Sequence, residues 1–206
     1  MAAERYSTRR AYGSSPTSSG HAQPPTKVTT GPYRDILERL WILDPVPAWQ
    51  PTRAHLRRQT LPPKHHLVDP ALAVRLLGMD ANALIGGQEP GPAVPRDGTF
   101  LGALFDSLVT QSVWVYAQAA EASVKHLRTA QGEREVDLII ERGDGRVVAI
   151  EIKFAQTPDD EDMKHLLWLQ REIGDELLDA VVINTGRDAY RRPDGIAVVP
   201  AALLGP

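Results

Sequence analysis

Glu135 to Lys153 read EVDLIIERGDGRVVAIEIK, two apolar-rich runs separated by Gly143-Asp144-Gly145. Runs rich in Val and Ile, broken once by a Gly-Asp-Gly turn, predict a β-hairpin. Two loop lengths fit, and each sets a different register. A two-residue Asp-Gly loop places Val136 opposite Lys153 and Leu138 opposite Glu151, which buries charge against apolar groups. A three-residue loop, with Gly145 in the left-handed position, places Val136 opposite Ile152, Leu138 opposite Ile150 and Ile140 opposite Val148. One face is then wholly apolar. A one-residue slip exchanges the faces, so burial selects the second register.

The other face of that register has Asp137 opposite Glu151 and Glu135 opposite Lys153, beside Ile139, Val147 and Ala149. Opposed residues sit about 5 Å apart at Cβ. Two carboxylates at that spacing can share a Mg²⁺ ion, which binds through one or two carboxylates plus water and substrate phosphate. A lysine beside them can polarise an attacking water or meet a phosphate oxygen. Acids on a half-buried apolar face are costly unless paired or metal-bound. The plain alternative is a salt-bridged hairpin in which Glu135, Asp137 and Glu151 flank Lys153. The pattern alone leaves both open.

Working outward, Thr99 to about Ala120 reads as a long helix whose apolar face is Phe100, Leu101, Leu104, Phe105, Leu108, Val109 and Val113. Val124 to Thr129 is a strand, followed by the hairpin strands Glu135–Arg142 and Arg146–Lys153. Pro158 to Ile173 is a helix with Asp159, Asp160, Glu161 and Asp162 in its first turn, where the helix dipole favours them. Asp179–Thr185 and Gly195–Val199 are further strands. The order predicts an α/β domain with a mixed sheet over residues 99–206.

Upstream, residues 1–31 are rich in Ser, Thr, Gly, Pro and Ala and are expected to be disordered. Tyr33 to Leu43 has Ile36, Leu37, Leu40, Trp41 and Leu43 at helical spacing, ended by Pro45 and Pro47. Pro45 to Leu67 reads as loop and has no acid between Asp44 and Asp69. Pro70 to Leu77 is a short helix capped by Asp69, with Pro70 first inside it and Gly78 closing it. Residues 32–85 thus form a small helical unit, and 86–98, GGQEPGPAVPRDG from Gly86 to Gly98, a linker loop.

The 206 residues contain no cysteine, which excludes disulfides, zinc-thiolate sites and cysteine nucleophiles. Net charge is -3, split as +4 over residues 1–130 and -7 over 131–206. If nucleic acid binds, its phosphates should lie along the first part, on Arg53, Arg57, Arg58 and Lys64; the plain alternative is that helix surfaces are simply charged. Adjacent His65 and His66 point to different sides of an extended chain and do not form a shared metal site. No apolar run approaches the roughly 20 residues of a membrane span, and no secretory signal pattern opens the chain. The expectation is a cytoplasmic protein.

Asp137, then Glu151-Ile152-Lys153, resembles the D…ExK signature of the PD-(D/E)xK nuclease superfamily, and the predicted helix, three strands, helix, strand order is similar to its α-βββ-α-β core. Three segments, PPKHHLVDPALAVRLLG (Pro62–Gly78), GTFLGALFDSLV (Gly98–Val109) and EVDLIIERGDGRVVAIEIK, resemble the C-terminal domain of unknown function 4143 (DUF4143) found behind AAA+-type P-loop ATPases. That resemblance spans roughly residues 26–204. It implies a restriction-endonuclease-like fold and a site of Asp106, Asp137 and Glu151 as ligands of Mg²⁺ or Mn²⁺. Lys153 would activate water or contact phosphate. The family usually has glutamate where this chain has Asp106. The function implied is Mg²⁺-dependent phosphodiester hydrolysis on DNA, or DNA binding. The alternative is a non-catalytic module that binds DNA or a partner, such as an ATPase. No GxxxxGK[ST] occurs, so no ATPase activity is expected. Tyr33 to Leu43 resembles the end of a winged-helix segment, which suggests a shortened or stand-alone remnant.

Overall fold

The computed structural model describes residues 27–50, 62–81, 84, 99–129 and 132–205. The helices among them are α1 (Lys27–Arg39), α2 (Pro70–Leu76), α3 (Thr99–Ala119) and α4 (Asp160–Ile173). The strands are β1 (Leu43–Val46), β2 (Lys64–Leu67), β3 (Ser123–Arg128), β4 (Glu135–Glu141), β5 (Val147–Ile152), β6 (Leu177–Asn184), β7 (Tyr190–Arg191) and β8 (Ala197–Pro200). Strands β1 and β2 pair with each other, and the other six form one mixed sheet in the order β3-β4-β5-β6-β8-β7. The pairs β3/β4, β4/β5 and β7/β8 are antiparallel, while β5/β6 and β6/β8 are parallel. The expected mixed α/β class is what the chain adopts.

The chain divides into two compact units, residues 1–45 with 64–107, and residues 46–63 with 108–206. In the second unit, α4 lays Met163, Leu166, Leu169 and Ile173 on Ile139, Val147, Ala149, Ala180, Val182 and Val198, all of them buried. These sheet residues lie on one face, because Ile139 pairs with Ala149, Ala149 with Ala180 and Val182 with Val198. Leu138, Ile150 and Ile183, on the opposite face, are buried as well. Burying an aliphatic side chain of this size contributes about 1.5–3 kcal/mol, so the two-sided burial explains why this hairpin cannot slip.

The turn settles the loop length. Glu141 pairs with Val147 and Leu138 with Ile150. The Arg142 amide donates to Arg146 O at 2.9 Å, the Gly145 amide to Arg142 O at 2.9 Å, and Gly145 has φ +81°. This is the three-residue loop, with glycine in the left-handed position that it adopts at no steric cost.

In the first unit the expected elements shift. The apolar spacing predicts a helix over Tyr33–Leu43, but α1 begins at Lys27, passes through Pro32 and stops at Arg39. Residues 27–31, expected to be disordered, are its first turns. It ends in a Schellman motif, with Ile42 N–H on Leu37 O and Trp41 N–H on Glu38 O. Trp41 holds the left-handed position, φ +56°. Pro45 and Pro47 then favour extended residues before them, so Leu43–Val46 is a strand and not the end of a helix. The loop expected from Pro45 to Leu67 likewise begins and ends in strand, at β1 and β2. Helix α2 is as expected: Asp69 Oδ1 accepts from Ala71 N–H at 2.8 Å, and Pro70 is its first residue. Leu108, expected on the buried face of α3, is 49% exposed, whereas Val109, Val113 and Ala117 are buried. The segments 1–26 and 85–98, including the expected linker, lie outside the described residues. Among the described residues no helix is long and apolar enough to cross a membrane.

Candidate functional site

Asp137, Glu151 and Lys153 meet at the end of the β4–β5 hairpin. Glu151 pairs with Val182 and so projects from the face covered by α4. Between Ile139 and Val136, strand β4 carries an extra residue against β3, a bulge at Asp137-Leu138 that breaks the alternation there. The β4–β5 ladder runs from Glu141↔Val147 to Leu138↔Ile150. Beyond it, Asp137 Oδ2 accepts the Ile152 amide at 3.0 Å. The carboxylate thus takes a backbone donor of β5 and is held against that strand.

Glu151 is buried, with 7% of its surface exposed. Lys153 Nζ lies 3.3 Å from Glu151 Oε1 and 3.4 Å from Asp162 Oδ1. Burial pushes the Lys153 pKa down, but Glu151, Asp137 and Asp162 outweigh it and hold the pKa above the ordinary lysine value. Lys153 is therefore an ammonium at neutral pH, a donor and a fixed positive charge. Its expected neighbour Glu135 is placed otherwise. Glu135 pairs with Arg128 across β3, with the side chains 4.0 Å apart, and Lys153 sits beside β6, its amide donating to Ile183 O at 2.9 Å. The β4–β5 ladder ends at Leu138↔Ile150, three residues before Lys153.

Asp162 was legible only as part of a charged first turn. In the structure Asp159 and Asp162 form a capping box: Asp159 Oδ1 accepts from Asp162 N–H at 3.1 Å, and Asp162 Oδ2 accepts from Asp159 N–H at 3.0 Å. Asp162 shares the helix face of Leu166 and Leu169, so it points to the sheet. No periodic signal in the sequence ties it to Lys153; only the capping-box spacing singles it out.

Asp106 lies half-buried on α3, in the first unit. Arg53, Arg57 and Arg58 lie outside the described residues, and Lys64 opens β2. His65 Nε2 is hydrogen-bonded to Glu38 Oε1 at 2.7 Å, and His66 is buried. Among the described residues no group of three or more His, Asp or Glu could hold a metal ion. Asp137 and Glu151 do supply two carboxylates near Lys153, the number that a hydrated Mg²⁺ site takes from the protein.

Three comparisons bear on identity. No curated protein matches the chain. A solved structure, the refined half-complex from a tetradecameric assembly of Thermococcus gammatolerans McrB AAA+ hexamers with bound McrC, aligns at 10% identity and a TM-score of 0.35. The alignment covers 83% of this chain and 60% of that one, and a likeness this low carries no argument. Residues 20–83 match a family described as Domain of unknown function (DUF8612). The segment Pro62–Gly78 therefore falls in that match and not in the one expected for it. Residues 101–204, half of the chain and all of the hairpin, match the Domain of unknown function (DUF4143), and the chain belongs to that family.

Proposed function

We propose that the second unit is a nuclease-like domain of the PD-(D/E)xK type that hydrolyses phosphodiester bonds in DNA with Mg²⁺ or Mn²⁺. The observation that carries this reading is the gathering of Asp137, Glu151 and Lys153 at the end of a hairpin in a mixed sheet, with Asp137 on the Ile152 amide and Glu151 3.3 Å from Lys153 Nζ. Asp137 and Glu151 would hold the cation. Once bound, it supplies Lewis-acid polarisation of the phosphate and a more acidic water. Lys153 would orient the attacking water or donate to a phosphate oxygen. Arg53, Arg57, Arg58 and Lys64 come from a run without acids, suited to holding phosphate backbone without reading sequence.

Plasmid and single-stranded DNA incubated with Mg²⁺ or Mn²⁺ test the reading. Cleavage that requires the metal and falls at least about 100-fold in Asp137→Ala and Lys153→Ala supports it. Uncut DNA under all conditions overturns it. A second reading, a non-catalytic module that binds a protein partner such as an ATPase, is favoured by one observation. Tyr33, Ile36, Leu40 and Trp41 of α1 and its cap are 68, 52, 61 and 80% exposed. Apolar side chains gathered on a surface in this way mark interaction sites.

A further inference from the structure

Lys153 has two carboxylate partners, and they come from different elements. Glu151 stands two residues before it on the same strand; Asp162 stands across on α4. The approach of Asp162 is built by the chain between them. Lys153 N–H donates to Ile183 O at 2.9 Å, Ala155 N–H to Lys153 O at 2.8 Å, and Thr185 N–H to Ala155 O at 3.0 Å. Asn184, fully buried at the end of β6, donates from Nδ2 to Gln156 O at 2.8 Å. A Cβ on Gly186 would come within 2.8 Å of Asn184 Nδ2 and 2.9 Å of Gln156 O, so the segment is pressed onto the sheet end with no spare room. From there the capping box fixes the rotamer of Asp162: one oxygen is bound to Asp159 N–H, and the other faces Lys153.

We propose that Asp162 is the positioning residue of Lys153, holding the ammonium at the site when the Glu151 carboxylate is given over to a divalent cation. The inference rests on the nuclease reading for its purpose, but its geometry stands on the contacts above. Without Asp162, the ammonium is left with Glu151 and Asp137, the two carboxylates the cation would take, and competes with it for them. With Asp162, Glu151 is released without loss of the lysine. Asp162 touches neither cation nor substrate in this scheme and acts through Lys153.

Mn²⁺ titration by calorimetry and the NMR signal of the Lys153 ammonium protons test it on the full chain. Asp162→Asn keeps an oxygen that accepts from Asp159 N–H and removes the charge. Expected are a Tm close to that of the unaltered chain, an ammonium signal broadened away by exchange with water, and Mn²⁺ affinity lowered about tenfold, the equivalent of one tight ion contact. In a Lys153→Met background the same change should shift Mn²⁺ affinity less than twofold. Asp159→Ala, which breaks the cap and keeps the Asp162 charge, should lower Tm and leave the ammonium signal. Equal losses of affinity with and without Lys153 would overturn the proposal, since Asp162 would then act as bulk charge. If the unaltered chain binds no Mn²⁺, the nuclease reading fails by itself. The ammonium signal still decides the positioning role: lost in Asp162→Asn, it stands; unchanged, it falls.

Discussion

Helices α1 and α4 carry similar apolar spacing and meet different fates. On α4, Met163, Leu166, Leu169 and Ile173 are covered by the sheet and almost wholly buried. On α1 and its cap, Ile36 and Leu40 stay more than half exposed, and Trp41 more so. Periodicity says which side of a helix is apolar; it does not say that anything lies against it. The sheet supplies the cover for α4, and among the described residues nothing does so for the outer row of α1. The ends differ as well. A capping box with acids at the positive end of the dipole opens α4, whereas α1 closes on a tryptophan in a conformation better suited to glycine.

The comparison breaks most easily at the two cores. Leu166→Ala should cost about 2–5 kcal/mol through lost burial and a residual cavity. Ile36→Ala should change stability by no more than about 0.5 kcal/mol. Denaturant midpoints measure both, and a large loss at Ile36 would mean that its row is covered in solution. Next come the ends. Asp159→Ala should cost about 1 kcal/mol, as loss of an N-cap does, read as a lower Tm. Trp41→Gly should leave α1 as stable or raise it by up to about 1 kcal/mol, since the left-handed conformation strains a residue with a Cβ and little burial is lost. A drop in partner binding alongside that gain would show what the exposed ring is for.

The smallest effect is at the sheet edge. Arg191 binds Asp179 through both nitrogens, at 2.8 and 2.9 Å, and holds its carboxyl below the usual aspartate range. A folded pKa below the unfolded value of about 3.9 means stability present above that pH and lost as pH falls through the lower folded value. The pair is partly solvated, so the loss should stay under about 1 kcal/mol. A pH series on Asp179→Asn beside the unaltered chain checks it: the two curves should converge in acid.

Legibility followed the same divide. The hairpin register could be read because both faces are buried, which leaves one pairing that keeps charge off the apolar side. The capping of α2 and the charged start of α4 could be read because they are local. Apolar spacing misplaces α1, because the prolines after it act on Leu43–Val46 more strongly than that spacing does. Strand β7, only Tyr190–Arg191, is too short to leave a pattern. Asp137, Glu151 and Lys153 were legible as a motif, whereas the approach of Asp162 to Lys153 depends on a loop path that no spacing encodes.

Asp137 fastens a strand with the same oxygen atoms that would face an ion. Its accepted bond from the Ile152 amide gives the acid a structural duty of its own. A relative without any catalysis would still be selected to keep an acceptor there. Persistence of that aspartate in a relative is therefore weak testimony for enzymatic life, and Lys153, whose backbone amide serves the sheet whatever its side chain, is the better witness.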